Sequence, residues 1–201
     1  MESEEWDDRL NKFFDVARSS VRGGLFLFSG NALGTILLAI ASIVIARLLG
    51  PEAYGIYSIS LVIPAFLLIF TDLGINVAVI RYCARFRAEG QTYLVPDIIK
   101  TALLFEFLMS FIFFVVVFAF AGVFSAYILN RPWISGFVQM VSVLIVLQAV
   151  GMVVNNVFVG TDRMDRNALV MVLQSLVKLV VAPLLIVLGF GVVGALVGHI
   201  M

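Results

Sequence analysis

Ala46-Arg47-Leu48-Leu49-Gly50-Pro51-Glu52-Ala53-Tyr54-Gly55-Ile56-Tyr57 is a short polar break between two long apolar runs. Gly50 can take the left-handed conformation that ends a helix. Pro51 cannot continue the helix before it, but it suits the first turn of the next. Glu52 falls in that first turn, where the helix dipole favours a negative charge. Tyr54 and Tyr57 join an apolar ring to a hydroxyl, a combination enriched at membrane surfaces. The stretch predicts the tight outer turn of a membrane-spanning helical hairpin.

Composition carries that reading to the whole chain. Its 201 residues are 62% hydrophobic and 13% charged, with a mean hydropathy of +1.12. A soluble domain is about half apolar and about a quarter charged. The apolar runs reach about 20 residues or more, enough to cross a hydrocarbon layer roughly 30 Å thick. The alternating segments of a membrane barrel are absent. The expected class is therefore all-α, a polytopic bundle of membrane helices. The lone cysteine, Cys83, excludes an internal disulfide. The sequence offers no metal-ligand cluster, phosphate loop or nucleophile–base pair. A non-enzyme is expected, with no catalytic residue, metal or cofactor and no nucleic acid partner.

Outward from the hairpin, the organisation is a series of spans. Residues 1–23 place Trp6, Leu10, Phe13, Phe14, Ala17 and Val21 on one helical face, opposite Arg9, Lys12 and Arg18. This suits a helix lying in the membrane surface; a solvated tail is the alternative. Spans are expected over about 24–49, 56–80, 98–123, 134–159 and 168–188, with 192–201 the start of a sixth. Gly30, Ala32, Gly34, Ala39, Ala41 and Ser42 are small enough to let a neighbouring helix approach the first span. Pro64 predicts a kink in the second. Asp72-Leu73-Gly74 predicts an interruption near its inner end. Turns are expected at Tyr127 to Trp133, Gly160 to Asn167 and Gly189 to Gly191. The end at Met201, inside the sixth span, points to a truncated reading frame or a fragment.

Orientation follows from basic residues in short loops, which favour the cytoplasm. Arg9, Lys12, Arg18, Arg22, Arg81, Arg85, Arg87, Lys100, Arg163 and Arg166 fall on one side, against Arg47 and Arg131 on the other. The amino terminus is therefore expected in the cytoplasm, with Lys178 left inside a span.

Polar residues within spans face the bundle interior or a water-filled cavity. At 1.5 Å rise per residue, Asn31 and Asp72 lie roughly 10 to 12 Å from the inner surface, Glu106 roughly 12 Å, and Gln148 and Lys178 roughly 15 Å. Five helices then contribute one polar layer. Glu106 and Lys178 are expected to form an ion pair between the third and fifth spans; the alternative is that each snorkels separately. Asp72 is read as a cap for a helix beginning at Leu73, as a partner of Arg81, or as part of a substrate path. Asn31 and Gln148 are read as interhelical hydrogen bonders or ligands. Asn155 and Asn156 are read as turn or interface residues. His199 carries no specific signal.

Four motifs in order complete the reading: the stretch 46–55, then Thr71-Asp72-Leu73-Gly74-Ile75-Asn76-Val77-Ala78-Val79-Ile80-Arg81, then Gly160-Thr161-Asp162-Arg163, then Gly189-Phe190-Gly191-Val192-Val193-Gly194-Ala195. Together they resemble the amino-terminal half of the oligosaccharide flippases. These are the polysaccharide-export branch of the multidrug/oligosaccharidyl-lipid/polysaccharide (MOP) exporter superfamily. The resemblance implies a transporter in the cytoplasmic membrane of a bacterium or archaeon. It would move a polyprenyl-linked oligosaccharide or polysaccharide precursor by alternating access, without covalent catalysis. It also implies a cavity between two lobes, so a second lobe is an expected partner, from a missing carboxy-terminal half or another copy. Membrane lipid, glycosyltransferases and a polymerase are the other partners implied. Asn31, Arg47, Asp72, Arg81 and Gln148 are the substrate-path candidates. Arginine suits a lipid-linked diphosphate because its fork matches phosphate oxygens, although Arg47 and Arg81 also suit interfacial anchoring. The alternatives are a cation-coupled multidrug exporter half, with Asp72 and Glu106 as ion sites, and a membrane scaffold without transport.

Overall fold

A computed structural model describes the backbone of residues 2–200 and the side chains of Phe14, Val21 and residues 23–200. Six helices follow in order: α1 (Glu2–Asp72), α2 (Ile75–Ala88), α3 (Val95–Val123), α4 (Ser135–Gly160), α5 (Met164–Leu185) and α6 (Gly191–Ile200). The face expected to be amphipathic over residues 1–23 falls almost wholly outside the described side chains, as does Arg22. Their backbone from Glu2 onward is helical and continuous with α1.

The 71 residues of α1 are not one rod, because Gly50 sits at φ 75° and ψ 171°. That region is open essentially to glycine alone. The chain folds back there: Ser42 Oγ and Tyr54 Oη lie 2.9 Å apart. Twelve residues of straight helix would separate two Cα atoms by roughly 18 Å. Ile45 and Tyr57 share one core cluster across the turn. Pro64 stays within helical dihedrals, so no break marks that position.

The second limb of α1 ends at Asp72, where Leu73 and Gly74 take φ of 40° and 85°. A separate helix, α2, then carries the chain as far as Ala88. The apolar run read as one span to Ile80 is therefore two helices, because two successive positive φ values cannot continue a right-handed helix. Asp72 Oδ1 accepts the Asn76 N–H at 2.9 Å, a donor that the new helix cannot satisfy internally. The helix it caps begins at Ile75, two residues later than expected.

Among the described residues, four helical stretches are long and apolar enough to cross a membrane: Gly23–Asp72, Thr92–Ile128, Pro132–Gly160 and Met164–Ile200. The first holds 50 residues and the last 37, and each contains a glycine turn. In the last, Gly189 and Gly191 take φ of 93° and 52°, which folds α6 back along α5. A Cβ on Gly194 would lie 2.9 Å from Leu185, and one on Gly198 would lie 2.5 Å from Ala182 Cα. The residue sums of the two pairs agree to within one, as antiparallel neighbours require.

Lipid offers apolar side chains no gain from leaving water, so packing and hydrogen bonds hold such bundles together. Phe28, Ile69, Val77, Leu104 and Val187 accordingly point outward. Small residues make the close contacts. Gly30 and Gly34 receive Ala168 and Met171 of α5, whose register advances in the same direction as the first limb of α1. These two segments therefore run parallel. Gly160 packs on Ile80 and Cys83. Three buried serines satisfy themselves on their own helices: Ser60 donates to Ile56 O at 2.7 Å, Ser142 to Gln139 O at 2.6 Å and Ser175 to Met171 O at 2.8 Å.

Candidate functional site

The parallel packing of α1 on α5, and the return of α6, leave a cavity of about 500 Å3. Its wall carries Asn31 and Thr35 from α1, Gln148 and Asn155 from α4, Gln174, Ser175 and Lys178 from α5, and His199 from α6. Leu38, Leu144 and Met171 are among its apolar members. Three residues singled out from the sequence, Asn31, Gln148 and Lys178, therefore meet in one space.

Lys178 finds its partner on α6. Its Nζ lies 2.7 Å from His199 Nδ1, and Tyr57 Oη lies 2.8 Å from the same nitrogen. The Tyr57 and His199 rings meet edge to face, with centroids 5.9 Å apart. An imidazole nitrogen offers one site in its plane, either a lone pair or a proton. The two short contacts therefore compete for one position, which makes His199 a branch point. Tyr57, read from sequence as an interfacial ring, is only 6% exposed and belongs to the core.

The ion pair expected between Glu106 and Lys178 is not among those of the described residues. Depth along each helix was compatible, but direction around the bundle is not. α3 packs on α4 and α2, whereas α5 packs on α1 and α6. Glu106 is fully buried beside Thr71 and Asp72, and both its carboxylate oxygens lack a hydrogen-bond partner. The expected polar layer thus divides into two groups: Asn31, Gln148 and Lys178 around the cavity, and Asp72 with Glu106 at the break between α1 and α2.

Arg47 and Arg81 are exposed, line no part of the cavity and have no ion-pair partner among the described residues. Arg81 does not pair with Asp72, whose carboxylate serves Asn76. Asn156 Nδ2 donates to Asn76 Oδ1 at 2.7 Å, tying α4 to α2. Asn167 Nδ2 donates to Asn155 O at 3.2 Å, tying α5 to α4. Asn155 also lines the cavity, a role that sequence reading missed. Among the described residues, no group of three or more His, Cys, Asp or Glu could hold a metal ion.

A helical bundle with spans broken at glycine turns and an amide-lined cavity is the form of a polytopic membrane protein. The chain belongs to the polysaccharide biosynthesis protein family, whose model matches residues 20–201. Two solved structures share its fold. One is an outward-facing multidrug resistance MATE family transporter of the MOP superfamily, 22% identical with a TM-score of 0.72. The other is a MOP superfamily transporter from Pyrococcus furiosus, described as having a binding pocket of reverse polarity, 21% identical with a TM-score of 0.73. Each match covers 90% of this chain and 41% of the other, so the chain spans less than half the length of either protein. Curated protein sequences give no significant match. Membership of a polysaccharide biosynthesis family and an all-helical membrane fold, both expected from the sequence, are thereby established.

Proposed function

We propose that the chain forms the amino-terminal lobe of a transporter that carries a polyprenyl-linked oligosaccharide or polysaccharide precursor across the cytoplasmic membrane by alternating access. Its amino terminus lies in the cytoplasm, on the side of the basic loops. The observation that carries this reading is the meeting of Asn31, Gln148 and Lys178 in one cavity within an otherwise apolar bundle. Amides offer both donors and acceptors, which suits sugar hydroxyls. A lysine ammonium binds phosphate as a point charge. The lipid tail has the apolar outer faces of the helices beside it, and no covalent step is needed.

In this mechanism Lys178 leaves His199 for the substrate's phosphate, and His199 Nδ1 keeps its contact with Tyr57. On release Lys178 returns, so the single nitrogen alternates between two partners. Arg47 and Arg81, exposed and unpaired, supply contacts for the charged headgroup before and after the cavity. A second lobe closes the path from the other side, and the glycosyltransferases and polymerase of the same pathway supply and consume the cargo.

The test is lipid-linked glycan translocation in proteoliposomes holding the complete transporter. Lys178→Met is expected to slow transport about 10-fold or more, since a hydrogen bond to a charged group contributes roughly 1.5–3 kcal/mol. Gln148→Leu is expected to act in the same direction. Transport at the unmodified rate by the Lys178→Met protein would overturn the reading.

A second reading draws on Glu106, buried and unpartnered beside Asp72. Such a carboxylate suits a coupling cation in a multidrug exporter half. Dye efflux driven by a cation gradient and abolished by Glu106→Gln, with glycan translocation absent, would favour it.

A further inference from the structure

A second cleft, of about 360 Å3, opens at the basic end of the bundle and shares no lining residue with the cavity above. Arg87 reaches it from the carboxy end of α2, and Arg163 from the turn between α4 and α5. Thr92 contributes from the short 3-10 turn Thr92–Leu94. Val95, Val157, Phe158 and Thr161 form the rest of the wall. The polar members come from two segments far apart in sequence, 87–92 and 161–163, so only the folded bundle brings Arg87 and Arg163 together.

The charges around the cleft are not equivalent. Arg85 is bound to Glu89 through Nε–Oε1 at 2.7 Å, and Lys100 lies 3.8 Å from Asp97. The nearby carboxylates Glu89 and Asp97 are thus occupied by cations outside the cleft. Arg87 and Arg163 have no carboxylate partner among the described residues, and Asp162 is not part of the lining. Thr161 spends its hydroxyl proton on Val157 O at 2.7 Å and donates nothing into the space. Thr92 forms no such bond. The cleft therefore presents two guanidinium groups and one hydroxyl as free donors, over an apolar floor.

We propose that this cleft binds a phosphate group, held between the Arg87 and Arg163 guanidiniums with Thr92 donating to a third oxygen. The guanidinium fork matches phosphate oxygens, and an unpaired cation loses no existing partner on binding. Val95 and Phe158 make an anionic phospholipid headgroup the source that fits best, with the glycerol and first methylenes against the apolar floor. Basic pockets between membrane helices bind such headgroups. Free inorganic phosphate has the same recognition chemistry without the apolar contact. The site is separate from the transport cavity, so it anchors or regulates the bundle rather than carrying cargo.

The experiment is native mass spectrometry of the whole chain in neutral detergent, titrated with phosphatidylglycerol, phosphatidylcholine or inorganic phosphate. Phosphatidylglycerol is expected to be retained in preference to phosphatidylcholine. Each basic residue near a membrane surface contributes about 1 kcal/mol, so the expected loss is about 5-fold for Arg87→Gln or Arg163→Gln alone and about 30-fold for both. Arg85→Gln, already engaged with Glu89, is expected to leave retention unchanged. If millimolar inorganic phosphate binds in an Arg87- and Arg163-dependent way while the two lipids are retained equally, the site stands with free phosphate as its source. Equal phosphatidylglycerol retention by the double variant and the unmodified chain, with no arginine-dependent phosphate binding, overturns the proposal. Should the double variant aggregate, Arg163→Gln in the exposed turn gives the same reading alone.

Discussion

Replacing Gly198 by alanine tests the link between helix packing and the site. A Cβ there would lie 2.5 Å from both Cα and Cβ of Ala182, and 2.7 Å from its backbone nitrogen. Carbon atoms settle at roughly 3.5–4.0 Å, so α6 must withdraw from α5 by about 1 Å. The obstruction is mostly backbone, and it cannot rotate aside. Overpacking of this kind costs about 1–3 kcal/mol. The neighbouring residue is His199, whose contacts to Lys178 and Tyr57 are 2.7 and 2.8 Å. A retreat of about 1 Å from α5 takes the contact to Lys178 beyond good hydrogen-bond range. Gly55 supplies the control, because a Cβ there meets nothing within 4 Å. It lies within α1, so alanine at that position gains up to about 1 kcal/mol of helix propensity. The assay is reversible unfolding in mixed micelles, followed by helix content, together with transport by the complete protein. Gly198→Ala is expected to unfold more readily and to transport as poorly as Lys178→Met, while Gly55→Ala does neither. A Gly198→Ala protein as stable as the unmodified one would refute the close packing of α6 on α5.

Other consequences are open to simpler tests. Gly50→Ala places a side chain at φ 75° and ψ 171°, and is expected to cost about 1–3 kcal/mol in the same unfolding assay. A charge swap, Glu106→Lys with Lys178→Glu, is expected to rescue nothing: the two single costs should add within about 0.5 kcal/mol, as for residues out of contact. Recovery of expression in the double variant would restore the discarded ion pair. Cys83 is fully buried and free, so a maleimide is expected to label it only after denaturation. Rapid labelling of the native chain would show that α2 and α4 do not pack as described.

Much of the architecture was legible because glycine and proline punctuate an otherwise uniform apolar sequence. Gly50-Pro51 marked one reversal and Gly189 to Gly191 another, since each demands a backbone that a helix cannot supply. Leu73 was harder. A leucine at positive φ has no sequence signature, so the break before α2 was visible only through Asp72 and Gly74. The site was half legible. Depth places Asn31, Gln148 and Lys178 at one level, and these three do share a cavity. The same arithmetic wrongly joined Glu106 to Lys178, because distance along a helix says nothing of which neighbour that helix faces. His199 was within reach of the argument. An antiparallel return about Phe190 sets residue 199 opposite residue 181, within one turn of Lys178. Treating the last ten residues as an unfinished span concealed that pairing.

The order in which the branch point is made sets a constraint on biogenesis. Tyr57 precedes His199 by 142 residues, and Lys178 precedes it by 21. At about 5–20 residues per second, a ribosome reaches the histidine one to several seconds after the lysine. During that interval α5 carries an ammonium group that has no imidazole to meet it. Asn31 and Gln148, both made earlier, are among the polar neighbours that the cavity offers it until α6 arrives. The arrival of α6 thus sets when the lysine meets its imidazole.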